Sequence, residues 1–416
     1  MASFSIPLSG LAATGEALNI ISNNLANLNT DGYKDQSANF QDLFYQNYGA
    51  DGAGDPIEVG AGTSVGSVST NFSDGSLQNT GVPSNAAITG NGFFVTEQAN
   101  GSVQYTRAGD FTVNNAGLLV TTDGQTVMGY PAVNGVVNQS AALSPLQVGQ
   151  GENSPPAAST TMQQTTNLDA ASPVGTTFST PQTVYDSLGE SHTLTYTYTN
   201  TAPNTWTYQV TLPAADTGGT GAPTVLASGT MNFDSSGNLT APVGTTPVAI
   251  TGLADGAANM NIAWSLTDPS GDSLITQVAS ASATSTSDQN GYVGGTLQNF
   301  TITQNGTIDG QFSNGQTQPI GQIALASFGN SQGLQSVGGD SYQTTLASGA
   351  AVVGTATNGG LGTITGGAVE LSNVDISTEF TNLIVVQRAF EADARVVTTF
   401  DSVSSSTINL QAQPGN

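Results

Sequence analysis

The sequence predicts a mixed, predominantly antiparallel β protein with a long, coiled-coil-like α-helix at each end and two β domains between them. Three observations predict it. Apolar residues repeat every seven positions near both termini, short runs between them alternate large and polar residues, and two compositional breaks bracket a central stretch.

The first helix is expected from about Leu8 to Leu28. Leu11, Leu18 and Leu25 lie seven apart, and Ile21 with Leu28 forms a second row. Pro7 suits a first turn, while Asn29 to Gly32 supplies a stop with Gly32 as a left-handed cap. Strand pieces are expected around Phe93 to Val95, Phe111 to Val113, Ile302 to Ile308 and Ile320 to Ala326. Alternation is clearest at Leu194, Tyr196 and Tyr198 and at Trp206, Tyr208 and Val210, which places large residues on one strand face. The breaks fall at Ser144 to Thr165 and Ala279 to Ser287.

The second helix begins after Ser372 or Asn373 as cap, with Asp375 facing the positive helix end. Ile376, Leu383, Phe390 and Val397 repeat every seven residues, flanked by Phe380, Val386, Ala394 and Phe400. Arg388 and Arg395 stand at helical ion-pair spacing from Glu391. The polar run Ser402 to Thr407 leaves the helix end open, but more than 30 residues are expected. The second helix should exceed the first by about ten residues, roughly 15 Å of stripe at about 1.5 Å per residue. An isolated helix of this length is marginal in water, so both stripes need partners.

Composition removes several function classes. The chain has 416 residues with 4 Lys plus Arg against 29 Asp plus Glu, a formal charge of −25, which is the wrong sign for a nucleic-acid partner. With no Cys and with His192 as the one imidazole, disulfides, thiolate sites and multi-histidine metal clusters fall away. The aliphatic run Leu383 to Val386 is far too short to cross a membrane, and the first basic residue is Lys34, so no secretory signal is expected.

Three local patterns invite a catalytic or binding reading. Asp186, Ser187 and His192 supply the residue types of a nucleophilic triad, but six residues of local chain do not orient three roles, and a hairpin turn is the expectation. Gly60 to Gly66 lacks both the dinucleotide-loop spacing and a nearby cation. Asp234 to Leu239 lacks the acidic count of a calcium loop and reads as a tight turn. No catalytic, cofactor or metal site is assigned, and the chain is not expected to be an enzyme.

Motifs spread along the chain carry a resemblance. Ser9-Gly-Leu-Ala-Ala and Ile21 to Lys34 lie at the start; Asn91 to Val95, Tyr105 to Phe111 and Met128 to Pro131 follow. Tyr185 to His192, Phe312 to Gln316 and Ile320 to Ala326 come next, then Ala368 to Ile376, Glu379 to Ile384 and Gln387 to Val396. Together they resemble the rod and hook axial proteins of the bacterial flagellum, most closely the hook proteins. A distal rod or other axial protein is the alternative, and a secreted β-rich adhesin a more remote one.

The resemblance implies a nested chain. Residues 1–70 and 371–416 would form an inner terminal-helix domain, 71–145 and 288–370 a middle β domain, and 146–287 an outer β domain inserted in it. It implies a homopolymer, a curved hollow tube joining motor and rod to the filament. Implied partners are the rod, hook-cap and hook–filament junction proteins and the flagellar type III export apparatus, with no nucleic acid, no membrane insertion and no cofactor. The implied location is the extracellular hook, reached without a cleaved signal peptide. The polymer interface is expected at Leu11, Leu18, Ile21, Asn23, Asn24, Leu25, Leu28, Ile376, Phe380, Leu383, Phe390 and Val397. The asparagines are poor helix formers, so amide bonds between packed helices are their expected role.

Overall fold

The computed structural model describes residues 5–50, 56–149 and 151–411. The chain is mostly antiparallel β, with helix α1 at Ser5–Ala26 and helix α2 at Ile376–Gln411. It divides into two compact units, Met1–Gln150 with Asn299–Gly310 and Gln318–Asn416, and Gly151–Gln298 with Gln311–Thr317.

In the first unit, α1 leads into an antiparallel ribbon of strands Gln36–Asp42 and Thr63–Thr70. Beyond it the strands Phe93–Glu97, Thr126–Val133 and Thr317–Ser327 sit at the centre of a sheet buried on both faces. Phe94, Val127, Ile323 and Leu325 enter one apolar cluster. Their strand neighbours Phe93, Val95, Met128, Ala324 and Ala326 enter another. Burial on both sides explains why these segments read as continuous apolar runs. Strands Leu77–Asn79 and Ala368–Glu370 pair, so the chain returns beside its outgoing path just before α2.

The second unit packs two five-stranded sheets on one core. Strands Thr177–Tyr185, Ser191–Ala202, Thr205–Leu212, Thr224–Phe233 and Leu239–Ala241 form an antiparallel meander. In the other sheet Thr161–Asp169 runs parallel to Met260–Ser265 and to Ile275–Val278, an exception to the antiparallel rule. Leu194, Tyr196, Tyr198, Trp206 and Val210 are fully buried, as their alternation requires. The Trp264 ring meets Tyr196 at 4.8 Å and Tyr208 at 5.3 Å, locking the two sheets together.

Three local expectations need correction, and one open point is settled. Gly32 (φ +76°) does not cap α1, which ends at Ala26; a Cβ there would stand 2.4 Å from the Ala108 nitrogen, so Gly32 permits a close backbone crossing. The cap of α2 is Asp375, whose Oδ1 accepts from the Ser377 and Thr378 amides at 2.8 and 3.2 Å, while Asn373 ties Asp35 to Asn71. No described ion pair joins Glu391 to Arg388 or Arg395. The polar run Ser402 to Thr407 stays helical, with the Ser406 and Thr407 hydroxyls donating to the carbonyls of Ser402 and Val403.

Candidate assembly interface

The two helices pair antiparallel. Gly10 of α1 faces Asp393, Gly15 faces Phe390, and Ala17 and Ile21 share a cavity of about 240 Å³ with Asn382, Val385 and Val386 of α2. The buried row of α1 is Ala13, Ala17, Ile21 and Asn24, so small residues set the approach. A Cβ at Gly10 would lie 2.8 Å from Asp393 Oδ2. The leucine row Leu11, Leu18 and Leu25 lies to one side, half-buried, as does Leu28.

Asn24 is the polar member of α1's buried row, and its hydrogen bonds to Gln36 and Tyr33 run to α1's own exit segment rather than across to α2, the expected partner. Its Nδ2 donates to the Gln36 carbonyl at 2.8 Å, and its Oδ1 accepts from the Gln36 amide at 3.0 Å and the Tyr33 hydroxyl at 3.1 Å. Asn23 Nδ2 donates to the same hydroxyl at 3.1 Å. The asparagines thus fasten α1 to its own exit segment; Asn23 is exposed, whereas Asn24 is fully buried. Burial, with Asp340 next in weight, pushes the Tyr33 phenol up to about 12. Burial also raises the Glu379 carboxyl, while the Asn24 amide pulls the other way.

Below this pairing lies a buried ionic node. Lys34 Nζ meets Glu370 Oε1 at 2.5 Å and donates to the Ser73 carbonyl at 2.7 Å. Arg107 reaches Glu370 Oε2 at 3.5 Å and Asp74 at 3.4 Å, and its guanidinium stands 5.3 Å from the Phe93 ring centre. Glu370 Oε1 also accepts from the Gly75 amide at 2.8 Å. Burial lowers the Lys34 pKa, opposed chiefly by Glu370. Two of the chain's four cations are therefore spent on joining the outgoing and returning strands to the sheet.

Along α2, Leu383, Val386, Asp393, Ala394, Val397 and Phe400 are half-buried, and Glu379 is buried. At about 100° per residue these share one face. Ile376, Phe380 and Ile384 lie on one flank of it, 45, 51 and 51% exposed. Val385, Val396 and Val403 lie on the other, 61, 42 and 57% exposed, while Phe390, on the covered face opposite Gly15, is 36% exposed. Helix α2 is 36 residues long against 22 for α1, so about 20 Å of it runs past its partner. Two apolar flanks and an overhang remain uncovered in the single chain.

Family models match four stretches, including both termini. Residues 6–34 match "Flagella basal body rod protein" and 87–159 the "Flagellar hook protein FlgE/F/G D1 domain". Residues 152–292 match the "Flagellar basal body protein FlaE D2 domain" and 365–410 the "Flagellar basal body rod FlgEFG protein C-terminal". Flagellar hook protein FlgE of Salmonella typhimurium is 36% identical over 98% of this chain and 100% of its own length. The chain belongs to the flagellar hook protein family. Escherichia coli FlgE is 34% identical over 98% of this chain and all of its own, and Treponema pallidum FlgE 33% identical over 97 and 98%. Among solved structures, the crystal structure of Helicobacter pylori flagellar hook protein FlgE2 covers 69% of this chain and 98% of its own at TM-score 0.48 and 17% identity.

This member of the hook family is a structural subunit of the flagellar hook, a homopolymer beside the basal body. In the second unit, Asp186 and Gly189 form the turn between Thr177–Tyr185 and Ser191–Ala202, while Ser187 Oγ accepts from the Ala258 amide and does not meet His192. Sequence reasoning found the stripes but missed the Lys34–Glu370–Arg107 node, because 336 positions separate Lys34 from Glu370.

Proposed function

We propose that copies of this chain stack helically into a curved hollow tube that carries torque from motor and rod to the filament while bending. The terminal helices line the channel as an inner domain of 1–70 and 371–416, a middle β domain of 71–145 and 288–370 surrounds it, and 146–287 forms the outer layer. The single observation that carries this reading is the pair of exposed apolar flanks on α2, Ile376–Phe380–Ile384 and Val385–Val396–Val403, each at the edge of a face that α1 already covers.

Within the interface, Ile376, Phe380 and Phe390 meet neighbouring copies directly, and Leu11, Leu18, Leu25, Leu28, Leu383 and Val397 complete the seam from their half-buried positions. Asn23 stands at its rim. Ile21 and Asn24 act from inside, by fixing the angle between α1 and α2. The chain performs no catalysis. Its other contacts are with rod, hook-cap and hook–filament junction proteins, and it leaves the cell through the flagellar type III apparatus with its N-terminal segment uncleaved.

Phe380→Asp tests the reading. The side chain is half exposed, so the monomer keeps its fold, but a charge placed in an apolar contact costs several kcal/mol at each junction. Loss of sedimenting polymer with an unchanged circular dichroism spectrum is expected; tubes of normal yield would refute the assignment of this flank.

A further inference from the structure

The second unit contains no Lys or Arg, and ten Asp or Glu fall within it. His192 is the one side chain there that can carry a positive charge. It is buried, and three aspartates from three different segments converge on it. Asp186, in the turn after Thr177–Tyr185, places Oδ2 at 3.2 Å from Nε2. Asp216, in the 3-10 turn Ala214–Thr217, places Oδ2 at 3.1 Å from Nδ1. Asp255, in the loop between Thr245–Ile250 and Met260–Ser265, comes to 4.0 Å from Nε2.

Both ring nitrogens therefore face carboxylate oxygens. A neutral imidazole has one N–H, so one of these contacts would set a lone pair against a carboxylate in a buried site. Two donors are needed, and only the imidazolium has them. Asp186 is pre-set as an acceptor, since its Oδ1 takes the Leu188 and Glu190 amides at 2.8 and 2.9 Å.

We propose that His192 is a proton-operated clasp, which holds the segments of Asp186, Asp216 and Asp255 together at one end of the outer β unit and lets them part when the ring loses its proton. Burial alone would lower the ring's pKa, but its bonds to Asp186 and Asp216 outweigh this and raise it above the ordinary 6.5. Burial alone would raise Asp186; the neighbouring Asp255 and His192 and the two amides outweigh it and hold the group below 3.8. A raised histidine stabilises the fold fully below its unfolded pKa and loses that contribution as pH climbs through the folded value. A depressed aspartate contributes above its unfolded pKa and fails as pH falls through the folded one. The clasp is thus closed from about pH 4 to at least pH 6.5 and opens on the alkaline side.

Because the chain has a single histidine, its ring signals in a ¹H–¹³C NMR titration of the full-length, unpolymerised protein need no assignment. A midpoint above 6.5 is expected, lowered in Asp216→Asn and again in Asp255→Asn. The fluorescence melt of Trp206 and Trp264, both in this unit, should shift to lower temperature as pH rises through that midpoint, and His192→Gln should abolish the shift. A midpoint at or below 6.5, aspartate variants that leave it unmoved, or a melt with the same alkaline fall in His192→Gln would overturn the clasp. So would a His192-dependent rise of the melt on adding ZnCl₂ alone at pH 8, since a metal would then occupy the place given to the proton.

Discussion

Glu370 is a buried junction of the first unit, because its two carboxylate oxygens face two buried cations, Lys34 and Arg107. Removing one partner of such a node leaves the others charged and dry, which costs about 3–5 kcal/mol. Glu370→Ala should therefore lower the first unit's unfolding free energy by that amount and its urea midpoint with it, read by far-UV circular dichroism. The tryptophan fluorescence transition should stay in place, since both tryptophans belong to the other unit. A second residue acts in the opposite sense. Asp340 is raised to about 6 by burial and then by Asp110, Asp123 and Asp31. A carboxyl with a raised pKa binds its proton more tightly folded than unfolded, so it destabilises the fold as pH rises from about 4 to 6 and beyond. Its backbone has φ +50°, which asparagine tolerates. Asp340→Asn should raise the melting temperature at pH 7 and have no effect below pH 4. At this scale the sequence was legible where the reason is local: Asp186 and Gly189 announce their turn. It was silent where partners are hundreds of positions apart, as for Lys34, or where several caps compete, as for Ser372, Asn373 and Asp375.

The helices show how far periodicity carries. Their presence and unequal lengths could be read from seven-residue spacing, because an apolar stripe is a property of one segment. Which face turns inward could not, because α1 packs through Ala13, Ala17 and Ile21, where small side chains admit α2 closely, and leaves its leucines half covered. Asn24 marks that face chemically. Asn24→Ala removes three hydrogen bonds, two of them to the Gln36 backbone, and should cost about 1–3 kcal/mol in first-unit stability by chemical denaturation. Gly10→Val should act more selectively, since a Cβ already crowds Asp393 and a branched side chain must push α2 away. The expected result is an assembly defect with the second unit intact, seen as lost polymer at an unchanged tryptophan melt. In the β region the same logic holds: alternation revealed the second unit's strands around Tyr196 and Trp206, but the parallel pairing of Thr161–Asp169 has no local signature.

Across the whole molecule, −25 charges must be brought side by side in the polymer, with two cations already buried in the ionic node and Arg388 and Arg395 outside any described ion pair. On the proposed interface, assembly sets apolar contact along α2 against electrostatic repulsion, and salt that screens the repulsion should favour it. The family was legible from motifs at both ends. The second unit's sheet order was not fully legible, because Thr161–Asp169 pairs with segments more than 100 residues away, such as Met162 with Gln289. The most direct test of the account is electron microscopy of the purified full chain, concentrated and brought to high salt, beside Phe380→Asp under the same conditions. Curved tubes of regular subunits from the natural sequence and dispersed single molecules from the variant are the predicted pair. Single molecules from both, or tubes from both, would contradict the claim that the uncovered flanks of α2 hold the hook together.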